Sequence, residues 1–217
     1  MALLLDRVYP LTHGPLEGRS HVDLARAFLS GGCRLFQVRA KELGDADLLE
    51  QLTEIAKACR ARSARFVVND RADLAWASGA AGVHLGQQDL PVREARRLLG
   101  KSAIIGLSTH SEPQFLAAQD EDIDYVAIGP IFVSPTKQSG PPPLGIELLS
   151  RLAPTSRAPV VAIGGINLAN VTEVWRSGAA SAAIVSDIVH CPDPARRVRE
   201  YLELAEGFAR TWPGSSL

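Results

Sequence analysis

Short apolar runs recur along the chain, and nearly every one is followed by a segment whose apolar residues return at helical spacing. The runs fall at residues 8–11, 35–38, 66–68, 83–85, 104–107, 125–128, 160–163 and 182–185. The amphipathic segments between them fall at 22–29, 46–60, 74–77, 92–99, 115–118, 146–152 and 171–176, with a closing helix over 194–208. Runs this short and this continuously apolar suit strands buried on both faces, the condition of a parallel sheet covered by helices. Strict alternation of strand and helix requires right-handed crossovers between parallel neighbours.

Eight such units predict a closed (β/α)8 TIM barrel, compact for its class, occupying residues 1–217 as a single catalytic domain. The open doubly wound sheet is the competing architecture, but no Gly-x-Gly-x-x-Gly fingerprint follows the first run. No low-complexity linker divides the chain, and Pro141-Pro142-Pro143 falls inside a loop rather than between halves.

Composition narrows the function classes. The chain has 217 residues, 46% hydrophobic and 22% charged, which fits a globular protein with a large core. A formal net charge of −1 leaves no basic footprint for nucleic acid. Arg93, Arg96 and Arg97 lie near Glu94, as on a solvated helix face. Cys33, Cys59 and Cys191 are too few and too scattered for a disulfide framework or a zinc site. No stretch is long and apolar enough to span a membrane, and the apolar start meets Asp6-Arg7 too soon for a signal peptide. The expected location is therefore cytoplasmic, with no nucleic-acid or membrane partner, and a homo-oligomer is left open.

Candidate chemistry lies where a barrel places it, at the C-terminal ends of the strands. Asp70 closes the third run and Asp89 follows the fourth, so neighbouring parallel strands deliver two carboxylates to one mouth. Carboxylates held together without a cation repel. Oxygen ligands of this kind suit Mg²⁺, which completes its shell with waters and substrate phosphates. After the second run, Gln37, Arg39 and Lys41 alternate along an extended segment and face one side, a cradle for a polyphosphate. The competing reading pairs Lys41 with Glu42 in an ordinary turn. An N-cap role is the weaker reading of Asp70, given a second acid in the same mouth, while Asp73 reads as a helix-start acid.

Ser108 and His110 follow the fifth run, as a hydrogen-bonding hydroxyl and a candidate base; Ser111 reads as a helix cap. Residues 129–143 form a long loop carrying Ser134, Thr136 and Lys137, suited to anionic oxygens. Gly164-Gly165-Ile166-Asn167 and Val185-Ser186-Asp187 end the last two runs, where barrels often bind phosphate through backbone N–H groups. The expected substrates are small phosphorylated molecules.

Taken in order, these motifs resemble the thiamine-phosphate synthase family. The resemblance lies in Gln-x-Arg-x-Lys at 37–41, Val-Asn-Asp at 68–70, Gly-Val-His-x-Gly-Gln-x-Asp at 82–89, Ser-x-His at 108–110, Gly-Pro-x-Phe…Thr-Lys at 129–137 and Ile-Gly-Gly-Ile at 163–166. It implies a transferase that joins a hydroxymethylpyrimidine diphosphate to a thiazole phosphate, giving thiamine phosphate and pyrophosphate. By resemblance, Gln37, Arg39, Lys41, Asn69, Ser108 and Lys137 hold the pyrimidine diphosphate, with Arg39, Lys41, Ser108 and Lys137 assisting catalysis. Asp70 and Asp89 hold Mg²⁺. Ser134, Thr136, Gly165, Val185 and Ser186 hold the thiazole phosphate.

The chain departs from the family pattern in places. Ala40 and Gln88 stand where many members carry acids, Val133-Ser134-Pro135 replaces a Pro-Thr-x stretch, and Thr12-His13 lacks an acid after the threonine. Two rivals remain: a thiazole tautomerase of the same fold using His110, and a non-catalytic phospho-ligand barrel. Retention of Asn69, Asp70 and Asp89 favours the synthase over both.

Overall fold

The computed structural model describes residues 5–14, 18–133 and 142–211. Among them, eight parallel strands form one sheet in the order β1-β8-β7-β6-β5-β4-β3-β2. The strands are β1 (Val8–Pro10), β2 (Leu35–Val38), β3 (Arg65–Asn69), β4 (Gly82–Leu85), β5 (Ile104–Thr109), β6 (Tyr125–Ile128), β7 (Val160–Ile163) and β8 (Ser181–Ile184). A single parallel bridge, Leu11 to Gln37, joins β1 to β2 and closes the barrel. The helices are α1 (His21–Ser30), α2 (Asp45–Arg60), α3 (Ala72–Ser78), α4 (Val92–Leu99), α5 (Glu112–Ala118), α6 (Gly145–Leu152), α7 (Val171–Arg176), α8 (Ser186–Val189) and α9 (Pro194–Thr211). Each predicted strand and helix has its counterpart; the four-residue α8 is additional.

The period-two geometry of the strands divides the core into two shells. Phe36, Val38, Phe66, Val68, Val83, Val126, Ile128, Ala162 and Ile184 face outward, where the helices cover them. Phe36 packs edge-on against Phe28 of α1 and stacked against Phe66, at centroid distances of 5.7 and 6.2 Å. Burying each such ring removes enough apolar area to favour folding by about 1.5–3 kcal/mol. Tyr9, Leu35, Val67, Ile104, Tyr125, Ala127, Val161 and Ala183 face inward and fill the barrel. The same alternation sends Gln37, Asn69, His84 and Ser108 to the inner side of β2, β3, β4 and β5.

Helix starts follow local chemistry. Ser20 caps α1 by accepting the Asp23 N–H at 3.1 Å, and Asp23 accepts the Ser20 N–H at 2.9 Å, a reciprocal box that satisfies two orphan donors. Ser111 caps α5, as its place before Glu112-Pro113 predicts. Gly79 ends α3 in a left-handed conformation, φ +71°.

Candidate active site

Beneath the mouth, a chain of polar side chains runs through the barrel interior. The Tyr9 and Tyr125 hydroxyls are 3.0 Å apart, His84 Nδ1 lies 2.9 Å from the Tyr125 hydroxyl, and His84 Nε2 lies 2.8 Å from Ser108 Oγ. Burial pushes both phenols up, and the Gln37 amide, 2% exposed, is among the neighbours that oppose it. Gly106 makes this possible: a Cβ there would sit 2.1 Å from Tyr125 Cζ, so only glycine lets the ring lie across the barrel. Burial pulls the His84 imidazole down to about 4, so at neutral pH it is uncharged and bridges Tyr125 to Ser108.

The acidic edge sits above this network. Asp70 extends the ladder by donating its N–H to His84 O at 2.7 Å, then turns with φ +65°. A left-handed backbone is uncommon for residues with a side chain, and Asp is among those that tolerate it. Arg71 occupies the N-cap position of α3, so Asp70 is not the cap of that helix. Asp73 pairs with Arg71 at 2.6 Å, and Arg71 also reaches Asp45 at the start of α2. Asp89 accepts the Gly86 N–H at 2.6 Å through Oδ2. Burial pushes the Asp89 carboxyl up; the Gly86 N–H opposes this, and the adjacent Asp70 carboxylate adds to it. Two facing carboxylates, one driven towards its protonated form, are a donor set that a hard divalent cation satisfies. Among the described residues, no group of three or more His, Cys, Asp or Glu side chains is placed to hold a metal. Two carboxylates alone leave most of a Mg²⁺ shell to water and phosphate oxygens.

Lys41 Nζ lies 3.1 Å from Asp70 Oδ2. The alternative pairing of Lys41 with Glu42 is not formed; Glu42 turns instead to His21, at 2.6 Å. Arg39 Nη1 lies 2.5 Å from His13 Nδ1. Burial, reinforced by Arg39, pulls the His13 imidazole down, which leaves a neutral ring free to accept that bond. Burial also lowers Arg39, opposed by Asp70 and Glu42, and a guanidinium so placed stays charged. Arg39, Lys41, Asp70 and Asp89 therefore meet along one arc of the mouth, with Gln37, Asn69 and Ser108 on the inner wall below.

The opposite arc is built by the last two strands. Gly164 and Gly165 have φ +103° and +65°. A Cβ on Gly165 would lie 2.6 Å from Val133 O and 2.8 Å from Phe132 Cβ, so its missing side chain admits the β6–α6 loop on that side. Asn170 Nδ2 donates to Gly165 O at 3.0 Å and steadies the turn. Val185 leads into α8, which begins at Ser186, and Asp187 of α8 is held by Arg197 and Tyr201 of α9 at 2.8 and 2.6 Å. Ser134, Thr136 and Lys137 lie outside the described residues. His110 is exposed at the rim, with Nδ1 2.8 Å from Gly129 O.

Sequence reasoning passed over His84, Tyr125, Thr12 and His21. The available signal for the first was a histidine at an inward position of an otherwise apolar strand.

The family model described as thiamine monophosphate synthase matches residues 8–188. The chain belongs to that family. By family it is a transferase of the thiamine-phosphate synthase type. The thiamine-phosphate synthase of Caldicellulosiruptor bescii is 39% identical over 195 residues, which cover 90% of this chain and 89% of that one. The thiamine biosynthesis bifunctional protein ThiM/ThiE of Symbiobacterium thermophilum is 41% identical over 188 residues, and the match covers 87% of this chain but only 39% of that protein. Among solved structures, thiamine phosphate pyrophosphorylase from Pyrococcus furiosus superposes with a TM-score of 0.84 at 30% identity, covering 94% of this chain and 96% of that one. The shared fold is the TIM barrel.

Proposed function

We propose that the chain, as one catalytic barrel over residues 1–217, couples a hydroxymethylpyrimidine diphosphate to a thiazole phosphate and releases pyrophosphate. The observation that carries this is the convergence of Arg39 and Lys41 with Asp70 and Asp89 at adjacent strand ends, sealed by the 3.1 Å contact between Lys41 and Asp70. Cations and paired acids together suit a metal-bound diphosphate better than either would alone.

In this reading Arg39 and Lys41 bind the diphosphate oxygens, and Gln37, Asn69 and Ser108 hold the pyrimidine end from the inner wall. Lys137, from the β6–α6 loop, joins the diphosphate ligands. Asp70 and Asp89 hold Mg²⁺, which when bound neutralises charge on the departing pyrophosphate. Arg39 and Lys41 stabilise the same charge as the carbon–oxygen bond breaks. The thiazole phosphate sits on the opposite arc, against Gly165, Val185 and Ser186 with Ser134 and Thr136, and presents its nitrogen to the pyrimidine-methyl cation. Catalysis then rests on positioning and electrostatic stabilisation, with no protein nucleophile. The proposed setting is the cytoplasm; among the described residues no helix is long and apolar enough to cross a membrane.

His110 supplies the test. In a tautomerase it would carry the proton itself, a role usually worth about 10²–10⁴ in rate. His110→Ala is expected to keep measurable Mg²⁺-dependent pyrophosphate release from the two substrates, and Asp89→Asn to lose nearly all of it. The reverse ranking, with proton exchange on the thiazole and no pyrophosphate formed, would overturn the proposal.

A further inference from the structure

Thr12 and His21 are buried polar side chains at the barrel's edge, 0% and 1% exposed, and neither belongs to the proposed substrate ligands. Thr12 Oγ1 lies 2.7 Å from His21 Nδ1, and His21 Nε2 lies 2.6 Å from Glu42 Oε1. The same threonine hydroxyl accepts the backbone N–H of Arg39 at 3.1 Å, while the Thr12 N–H donates to Gln37 O at 2.9 Å. One arrangement of protons satisfies every atom. Arg39 N–H donates to the hydroxyl, the hydroxyl donates to Nδ1, and the imidazole proton on Nε2 points at the Glu42 carboxylate.

Both ends of this chain grip the same short segment. Arg39 is tied at one end and Glu42 at the other, with Lys41 between them. Strand β2 stops at Val38, so residues 39–44 have no ladder of their own to hold them. The anchor is firm. His21 opens α1, and its own N–H donates to Gln51 Oε1 on α2 at 3.0 Å. Gly14 leaves space for the carboxylate, since a Cβ there would fall 2.3 Å from Glu42 Oε1.

We propose that Thr12, His21 and Glu42 form a positioning relay that holds the main chain from Arg39 to Glu42 in the geometry presenting Arg39 and Lys41 to the diphosphate. The relay does not touch substrate. It rests on the reading of Arg39 and Lys41 as diphosphate ligands. Long cationic side chains lose several rotors on binding, and a fixed backbone beneath them lowers that cost.

The sign of one effect separates the relay from simple electrostatics. Glu42 is a negative charge that acts on Arg39. Removing it should, by charge alone, tighten the binding of a polyanion. The relay requires the opposite. Glu42→Ala is expected to weaken binding of inorganic pyrophosphate, measured calorimetrically with Mg²⁺ present, by about tenfold, the loss of one charge-assisted hydrogen bond. The KM for pyrimidine diphosphate should rise in parallel, and the KM for thiazole phosphate should not move. Glu42→Gln keeps an acceptor for Nε2–H and should restore both values. Glu42 is 41% exposed, so these variants keep the fold; His21→Phe, at a buried site, is expected to match Glu42→Ala.

Unchanged or tighter pyrophosphate binding in Glu42→Ala, an equal loss in Glu42→Gln, or an equal rise in both KM values would each overturn the relay. Arg39→Met is measured alongside. Weakened binding there with none in Glu42→Ala removes the relay alone, whereas unchanged binding in Arg39→Met removes the cradle reading and the relay with it.

Discussion

Replacing Tyr125 with Phe removes one oxygen from the centre of the barrel and leaves the ring in place. That oxygen lies 3.0 Å from the Tyr9 hydroxyl and 2.9 Å from His84 Nδ1, and the residue is 0% exposed, so water does not replace it. The two partners are affected unequally. Tyr9 keeps the Gln37 amide within reach, but Nδ1 of the nearly buried His84 loses its partner. A satisfied hydrogen bond is worth about 0.5–1.5 kcal/mol net, and a stranded buried group costs about 1–3 kcal/mol. The expected loss is therefore about 2 kcal/mol, or a fall of about 4–8 °C in Tm for a chain of this size. Urea unfolding followed through tryptophan fluorescence reads it directly, since Trp175 is buried. Tyr9→Phe should cost about half as much, because Tyr125 remains bonded to His84. The double variant should cost less than the sum, as the two changes share one bond. A Tyr125→Phe loss under about 0.5 kcal/mol, or strict additivity in the double variant, would refute the network.

Two further predictions concern the same mouth. His84, lowered by burial from 6.5 to about 4, takes its proton more readily in the unfolded chain; its contribution is complete above pH 6.5 and falls as the pH drops towards 4. Between pH 7 and pH 5 this removes about 2 kcal/mol, and His84→Gln should lack that part of the slope; parallel stability curves for the two proteins would refute it. Asp187 anchors α8 to Arg197 and Tyr201, so Asp187→Asn should raise the KM for thiazole phosphate several-fold more than that for pyrimidine diphosphate, and an equal rise in both would count against two separate arcs.

The barrel was legible because buried parallel strands and the helices covering them leave unmistakable periods in the chain. What escaped was set by contacts distant in sequence. The apolar run of β5 ends at Leu107, yet the strand continues through Ser108 and Thr109, because Ser108 turns inward to His84 and Thr109 donates its hydroxyl to Ala127 O at 2.8 Å. Helix α8 is too short to show a period. Adjacency in sequence suggested a Lys41–Glu42 pair, but a buried histidine reached from another helix competes better for the glutamate. The arc of Arg39, Lys41, Asp70 and Asp89 was read from strand ends alone, since topology fixes which ends are neighbours. The left-handed turn at Asp70 left only a weak trace, since Asp tolerates that conformation without requiring it.

The closing seam of the barrel bears on when the mouth exists at all during folding. Strand β1 pairs with β8 through Val8 and Ala182, near opposite ends of the chain, and meets β2 only at the Leu11–Gln37 bridge. Pairings between remote segments carry the greatest loop-closure cost and form late. A ribosome-bound chain can stack β1 to β7 as an open curved sheet long before β8 emerges, with Thr12 already on its partners, since His21, Gln37 and Arg39 all precede β3. The segment carrying Arg39 and Lys41 is thus seated early by contacts local in sequence, while the glycine-rich arc, which ends in β8, waits for the last seam.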